Sequence, residues 1–151
     1  MANPLPRGNS QRIAQFVATA LDRPLPAPVL EKAKHHLLDT LAAIVSGAEM
    51  EPGRRGIAYA RELGGRKESS VLASRLRTNA VNAALANAMS AHADETDDSH
   101  PTSLTHPGCA VIPAALAMAE REGKNGLALL QAVTVGYDIC ARVGLASGGQ
   151  D

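Results

Sequence analysis

Residues 28–47 read PVLEKAKHHLLDTLAAIVSG, and this stretch decides the fold class. Val29, Leu30, Ala33, Leu37, Leu38, Leu41 and Val45 recur at three- and four-residue spacing, the period of a helix with one apolar face. Pro28 suits a first turn, where a missing N–H costs least, and Gly47 suits a C-terminal stop. Composition tells what packs against this helix. The chain has 151 residues and is 45% hydrophobic, mostly Ala, Leu and Val, with one Phe, two Tyr and no Trp. That profile favours closely packed helices with a core of small residues over an aromatic-rich sandwich, and the length allows one domain with a real core.

Working outward, a helix beginning near Asn9 or Ser10 carries Ile13, Phe16, Val17, Ala20 and Leu21 on one face and ends at Arg23-Pro24-Leu25-Pro26. A shorter helix is predicted over Arg54–Leu63, with Ile57, Ala60 and Leu63 inward and Gly64-Gly65 as terminator. One short β element is expected near residues 69–73, too brief to found a sheet alone. Thr78 is the expected cap of a fourth helix, whose stripe is Val81, Leu85, Ala88, Met89 and His92. A fifth begins at about Cys109 with Ile112, Leu116 and Ala119 inward and Pro113 near its first turn. The sixth runs from Leu127 to about Ala146 and carries Leu130, Val133, Tyr137 and Ile139. The expectation is therefore an all-α fold of about six helices. Residues 1–8 are read as a flexible N-terminus, 9–147 as the helical domain, and 148–151 as a linker-like end.

Fifteen Lys and Arg balance fifteen Asp and Glu, so no global field attracts nucleic acid or an anionic membrane. The N-terminus lacks an apolar signal region, and no later run approaches the ~18 uninterrupted apolar residues of a membrane span, so a cytoplasmic location is expected. Cys109 and Cys140 sit in apolar helical sequence and read as buried thiols rather than a disulfide framework. No segment recurs at a fixed period.

Chemistry concentrates between Ala91 and Gly108, in AHADETDDSHPTSLTHPG. Four acids (Asp94, Glu95, Asp97, Asp98) and three histidines (His92, His100, His106) share that seam between two helices. Three readings are open on the residues alone. Carboxylates beside imidazoles supply an acid and a base for proton abstraction next to a carboxylate. His92-x-Asp94 and Asp97-Asp98-x-His100 offer nitrogen and oxygen donors to a divalent metal, at a spacing that matches no strong ligand signature. Or the acids, Ser99 and Thr105 simply organise tight turns. Thr105-His106-Pro107-Gly108 favours the first, because His106 stands just before a helix N-terminus where a substrate carboxylate is welcome. His35 and His36 are read as structural, Tyr137 as a core or domain-contact residue, and Arg54-Arg55 as a solvated helix end.

Taken together, His35-His36-Leu37-Leu38-Asp39-Thr40-Leu41-Ala42, the run Asn87 to Asp98, Thr105-His106-Pro107-Gly108 and Gly136-Tyr137-Asp138 resemble the MmgE/PrpD family, over about Asn9 to Ala146. That family includes 2-methylcitrate dehydratase, cis-aconitate decarboxylase and iminodisuccinate epimerase. The resemblance implies the N-terminal part of a helical domain, with a smaller α/β domain elsewhere in such proteins. It implies a lyase that works without cofactor or metal on a small di- or tricarboxylate, by loss of a proton next to a carboxylate and then of water, or by decarboxylation or epimerisation. It places His106 at the family's active-site histidine. Aligning Asp97-Asp98-Ser99 with the family's Asp-Asp-Thr puts Glu95 at an active-site acid, and a one-residue shift nominates Asp94. Ser99 keeps the hydroxyl of the usual threonine, and the loop from Ser99 to His106 is one residue longer. His106, Glu95, Asp94 and Ser99 are thus the catalytic candidates, with Asp97, Asp98, His100 and Thr105 for substrate binding. The family's second histidine, its lysines and its tyrosine lie downstream, so a catalytically inert truncated or split helical module is the alternative reading. A homodimer is expected, and a second polypeptide is one source for the rest of the fold.

Overall fold

The structure is a computed structural model and describes residues 8–20 and 22–148. Six α-helices dominate it: α1 (Asn9–Ala20), α2 (Ala27–Gly47), α3 (Glu51–Leu63), α4 (Ala80–Ala91), α5 (Pro107–Arg121) and α6 (Gly126–Ala146). Between α3 and α4, strands β1 (Ser69–Ser70) and β2 (Arg77–Thr78) pair antiparallel, Ser69 opposite Thr78 and Ser70 opposite Arg77. The fold is all-α with this one small ribbon. Leu21, expected on the face of α1, lies outside the described residues, as do 1–7 and 149–151 of the expected terminal segments.

α4 is the centre, packed by α2, α3 and α5, with α6 on α5 and α2. Its buried stripe is Ala80, Ala83, Ala86, Asn87, Ser90 and Ala91, and Ala60, Val71 and Ala117 close the core around it. This corrects the expected stripe, since Val81 is 75% exposed and Leu85 also faces outward. Small side chains let helix axes approach closely, and close approach buries alanine while larger residues stay on the rim. The limit is reached at Gly47, where a Cβ would run into the Ser90 carbonyl and lie 2.9 Å from Ala93 Cβ. Any side chain there would push α2 off the end of α4.

The same geometry corrects α2. Ala33, Thr40, Ala43, Ile44 and Gly47 are its buried residues, whereas Leu38 (69% exposed) and Val45 (60%) point away. α1 buries none of its residues, and Ile13, Phe16 and Val17 remain exposed beside a groove of ≈ 540 Å³ shared with Ile139, Arg142, Val143 and Ala146 of α6. By length and mean hydropathy (1.2), α6 meets the composition of a membrane span, although Gln131, Asp138 and Arg142 interrupt its apolar run. In this fold it is an outer helix with Val133 buried and an Asp138–Arg142 ion pair at 2.9 Å.

Three boundaries differ from expectation. α3 begins at Glu51, because Pro52 is tolerated in a first turn and Glu51 pairs with Arg54 and Arg55, which it holds on the exposed face. Thr78 belongs to β2, and the cap of α4 is Asn79, whose Oδ1 accepts from Asn82 N at 2.9 Å. α5 begins at Pro107, so Pro113 falls inside the helix beyond its first turn. Asn79→Ala should therefore lower stability by about 1 kcal/mol in urea unfolding, the usual cost of a lost N-cap.

Candidate active site

His92 ends α4 as its C-terminal cap, and the chain from there to His106 folds back across the start of α5. The loop is pinned to itself and to its neighbours. Asp94 accepts from Ser46 Oγ at the end of α2 (2.5 Å) and from Thr96 Oγ1 (2.8 Å), which together hold its carboxyl below the usual range. A depressed folded pKa means these bonds are in force at neutral pH and weaken only as pH falls through the carboxylate range. Glu95 turns the chain with φ of 54°, in the left-handed region, and its exposed side chain has no partner among the described residues.

His100 and Thr105 bridge backbone to backbone around a single 3-10 turn, Pro101–Ser103. His100 Nδ1 meets Ser103 Oγ at 2.8 Å, and Ser103 Oγ meets Thr105 Oγ1 at 2.7 Å. These three hold the loop shut.

The two central aspartates do different work. Asp98 accepts two hydrogen bonds, Gly108 N to Oδ1 (2.8 Å) and Tyr137 Oη to Oδ2 (2.7 Å), and its Oδ2 also lies 2.9 Å from His36 Nδ1 as an ion-pair contact. It caps α5 from outside the helix and ties α5 to α2 and α6. Burial and the facing Asp98 carboxylate push the Tyr137 phenol above its ordinary pKa, so it stays a donor. Thr40 Oγ1 is buried without a hydrogen bond of regular geometry, yet lies near enough to oppose that rise slightly. Gly108 is required at this junction, because a Cβ would stand 2.6 Å from both Asp98 Oδ1 and Thr40 Oγ1 and 3.0 Å from Tyr137 Oη.

Asp97 has a fully buried side chain and faces two histidines. His92 Nδ1 lies 3.0 Å from Oδ1 and 3.2 Å from Oδ2, and His106 Nδ1 lies 3.6 Å from Oδ2. The two rings meet edge-on with centroids 5.5 Å apart, each about half exposed. Cys109, half-buried rather than core, donates to the His106 carbonyl at 3.2 Å. Burial first, and the Asp97 carboxylate second, push its thiol up to about 12. Cys140 is half-buried as well.

Of the predicted catalytic set, then, His106 sits on Asp97, Asp94 is engaged with Ser46 and Thr96, and Glu95 is turned to solvent. Ser99 is exposed and lines a cleft of ≈ 260 Å³ with His36, Asp98, His100, Pro107 and Tyr137. Sequence reasoning set aside His36 and Tyr137, which the fold joins to Asp98 with ring centroids 4.7 Å apart. One signal was available: His36 and Thr40 are four apart in a helix and hence share one face.

The profile of the MmgE/PrpD N-terminal domain matches residues 11–151. The chain belongs to the MmgE/PrpD family. It is 30% identical to the cis-aconitate decarboxylase-like protein oryM of Aspergillus oryzae over 154 residues, covering 97% of this chain and 32% of that protein. Identity to a cis-aconitate decarboxylase of Aspergillus terreus is 27%, over 95% of this chain and 30% of that enzyme. For the cis-aconitate decarboxylase of Homo sapiens it is 33%, over 76% of this chain and 25% of that enzyme. The chain thus spans about a third of the length of the curated MmgE/PrpD relatives it matches.

Proposed function

We propose that this chain is the N-terminal helical segment of a lyase, and that His106 with the acids of the 94–98 loop forms half of a pocket for a small di- or tricarboxylate such as 2-methylcitrate. The observation that carries this reading is the pairing of a buried Asp97 with a half-exposed His106 one residue before α5. Asp97 faces Nδ1 of His106, which leaves Nε2 on the far side of the ring to take or return a proton next to a substrate carboxylate. The N-terminal end of α5 favours an anion there, although Asp98 already occupies the N–H of Gly108.

Among the described residues the ion-pair partners of Asp97 and Asp98 are histidines only, with no Lys or Arg. An anionic substrate facing these acids needs cations from elsewhere, so the rest of the pocket belongs to another part of the polypeptide or to another chain. The exposed apolar residues of α1, α2 and α6 fit burial against such a part and against a second copy in a cytoplasmic homodimer. An inert helical module is the second reading, and the same missing cations favour it for the isolated chain.

Decarboxylation is the other chemistry on offer, since the relatives named above are cis-aconitate decarboxylases or like them. An enzyme carrying this chain should be given 2-methylcitrate, citrate and cis-aconitate in parallel. Loss of water from 2-methylcitrate is the expected result. Carbon dioxide from cis-aconitate would replace dehydration by decarboxylation, and no turnover of any of the three would leave the module reading.

A further inference from the structure

The buried carboxylate of Asp97 has an unusual set of neighbours. Its polar partners among the described residues are two imidazoles and the Cys109 thiol, and no fixed cation reaches it. A carboxylate taken out of water without a permanent counter-charge is costly to keep ionised. Both imidazoles face it through Nδ1 and both are open to solvent on their other side, His92 at 50% and His106 at 44% exposure.

We propose that His92, Asp97 and His106 form a binding site for a divalent ion of the zinc class. Their ligand atoms all lie within 4.8 Å of one another. With Oδ2 of Asp97 as the oxygen ligand, the two nitrogen-to-oxygen edges are 3.2 Å from His92 Nδ1 and 3.6 Å from His106 Nδ1. A tetrahedral ion with nitrogen and oxygen ligands at about 2.0–2.1 Å has edges of about 3.3–3.4 Å, so these two bracket the required value. The remaining edge, between the ligand nitrogens of the two half-exposed rings, is at most 4.8 Å and would shorten on binding. Two imidazoles and one carboxylate suit zinc, cobalt or nickel far better than magnesium or calcium, which prefer all-oxygen sets. The fourth position faces solvent.

Binding changes little in the protein. Each imidazole moves its proton from Nδ1 to Nε2 and offers the Nδ1 lone pair to the ion, while Asp97 turns from hydrogen-bond acceptor to ligand. The donors suggested by sequence spacing are not these: Asp94 is held by Ser46 and Thr96, Asp98 by Tyr137 and His36, and His100 by Ser103. With no second carboxylate behind the rings to fix them, micromolar rather than nanomolar affinity is expected. The ion would hold the same His106 that the proposed reaction uses, so it acts as an inhibitory occupant and not as a cofactor. The site itself stands whether or not that reaction is correct.

The test is a titration of the purified 151-residue chain with Zn²⁺ against a chromophoric chelator, and with Co²⁺ by visible absorption. One equivalent should bind at micromolar concentration, with the intense d–d bands of tetrahedral Co²⁺ that Zn²⁺ then abolishes. His92→Ala should weaken binding about 10- to 100-fold, the usual scale for a perturbed metal shell, and Asp97→Asn at least as much. His35→Ala, which removes an exposed imidazole on α2, should leave it unchanged. Should Asp97→Asn lose its helical circular dichroism, the His92→Ala result decides. No stoichiometric binding, undiminished binding by His92→Ala, or an equal loss in His35→Ala would each overturn the proposal.

Discussion

Replacing Asp98 by alanine should destabilise the chain by about 3–5 kcal/mol, a large fraction of the ~5–15 kcal/mol that holds a domain together. The carboxylate is only 14% exposed and meets groups on three elements: it accepts from the Gly108 amide of α5 and the Tyr137 phenol of α6, and it pairs with the His36 ring of α2 at 2.9 Å. Alanine leaves the amide and the phenol without their acceptor and the ring without its carboxylate partner, and hydrogen bonds to a charged group contribute about 1.5–3 kcal/mol each before non-additivity is counted. Asp98→Asn keeps one acceptor oxygen but points an amide N–H₂ at a donor, so it should lose somewhat less. Tyr137→Phe removes a single bond and should cost about 1–2 kcal/mol. Adding Tyr137→Phe to Asp98→Ala should cost little more, because the phenol has already lost its acceptor. Urea unfolding of the four chains measures all of this. A loss below about 1 kcal/mol for Asp98→Ala would mean that the three contacts are not held in solution.

The order and type of the helices were legible because punctuation and periodicity agree. Pro28 and Gly47 bracket α2, Gly64 ends α3 with φ of 61°, and Asn125 caps α6 by accepting from Ala128 N at 3.0 Å. What was not legible is which face goes inward. A reading by hydrophobicity favours Val81, Leu85, Leu38 and Val45, yet the interior is built from Ala80, Ala83, Ala86 and Ala43. In a small-residue bundle the inner face is chosen by how closely two backbones can approach, and that depends on the partner helix. The β ribbon had the same difficulty: two residues per strand carry no alternation, and its hydrogen bonds come from Ser69, Ser70 and Thr78 rather than from an apolar pattern.

The site divides along a similar line. Acids and histidines packed into one loop announced chemistry, but the loop does not say which acid serves which partner. Asp97 and Asp98 are adjacent and their side chains diverge, one to the rings of His92 and His106, the other to α2 and α6. Tyr137 lies 39 residues along the chain from Asp98, and only the crossing of α5 by α6 brings them together. Asp94 and Glu95, inseparable as sequence candidates, are separated by structure: one is spent on Ser46 and Thr96, the other has no partner among the described residues. An acid free to act on a substrate is better matched by Glu95.

In an active enzyme that carries this chain, His106→Ala should lower kcat by about 10²–10⁴-fold with little change in KM, the loss expected when a positioned acid–base group is removed. Added imidazole should restore part of the rate, because the alanine leaves room beside Asp97 for a small base. Asp97→Asn tests a different quantity. It keeps the histidine but replaces the carboxylate that faces Nδ1 at 3.6 Å with an amide that can present either a donor or an acceptor. As a positioning residue, Asp97 should therefore move the pH–rate profile as well as kcat, and imidazole should not rescue it. A structural role alone would lower the fraction of folded enzyme and leave the profile of the remainder where it was. If His106→Ala retained full kcat, the proton would have to pass through another group, and Glu95, exposed and without a partner among the described residues of the chain, would be the next residue to replace.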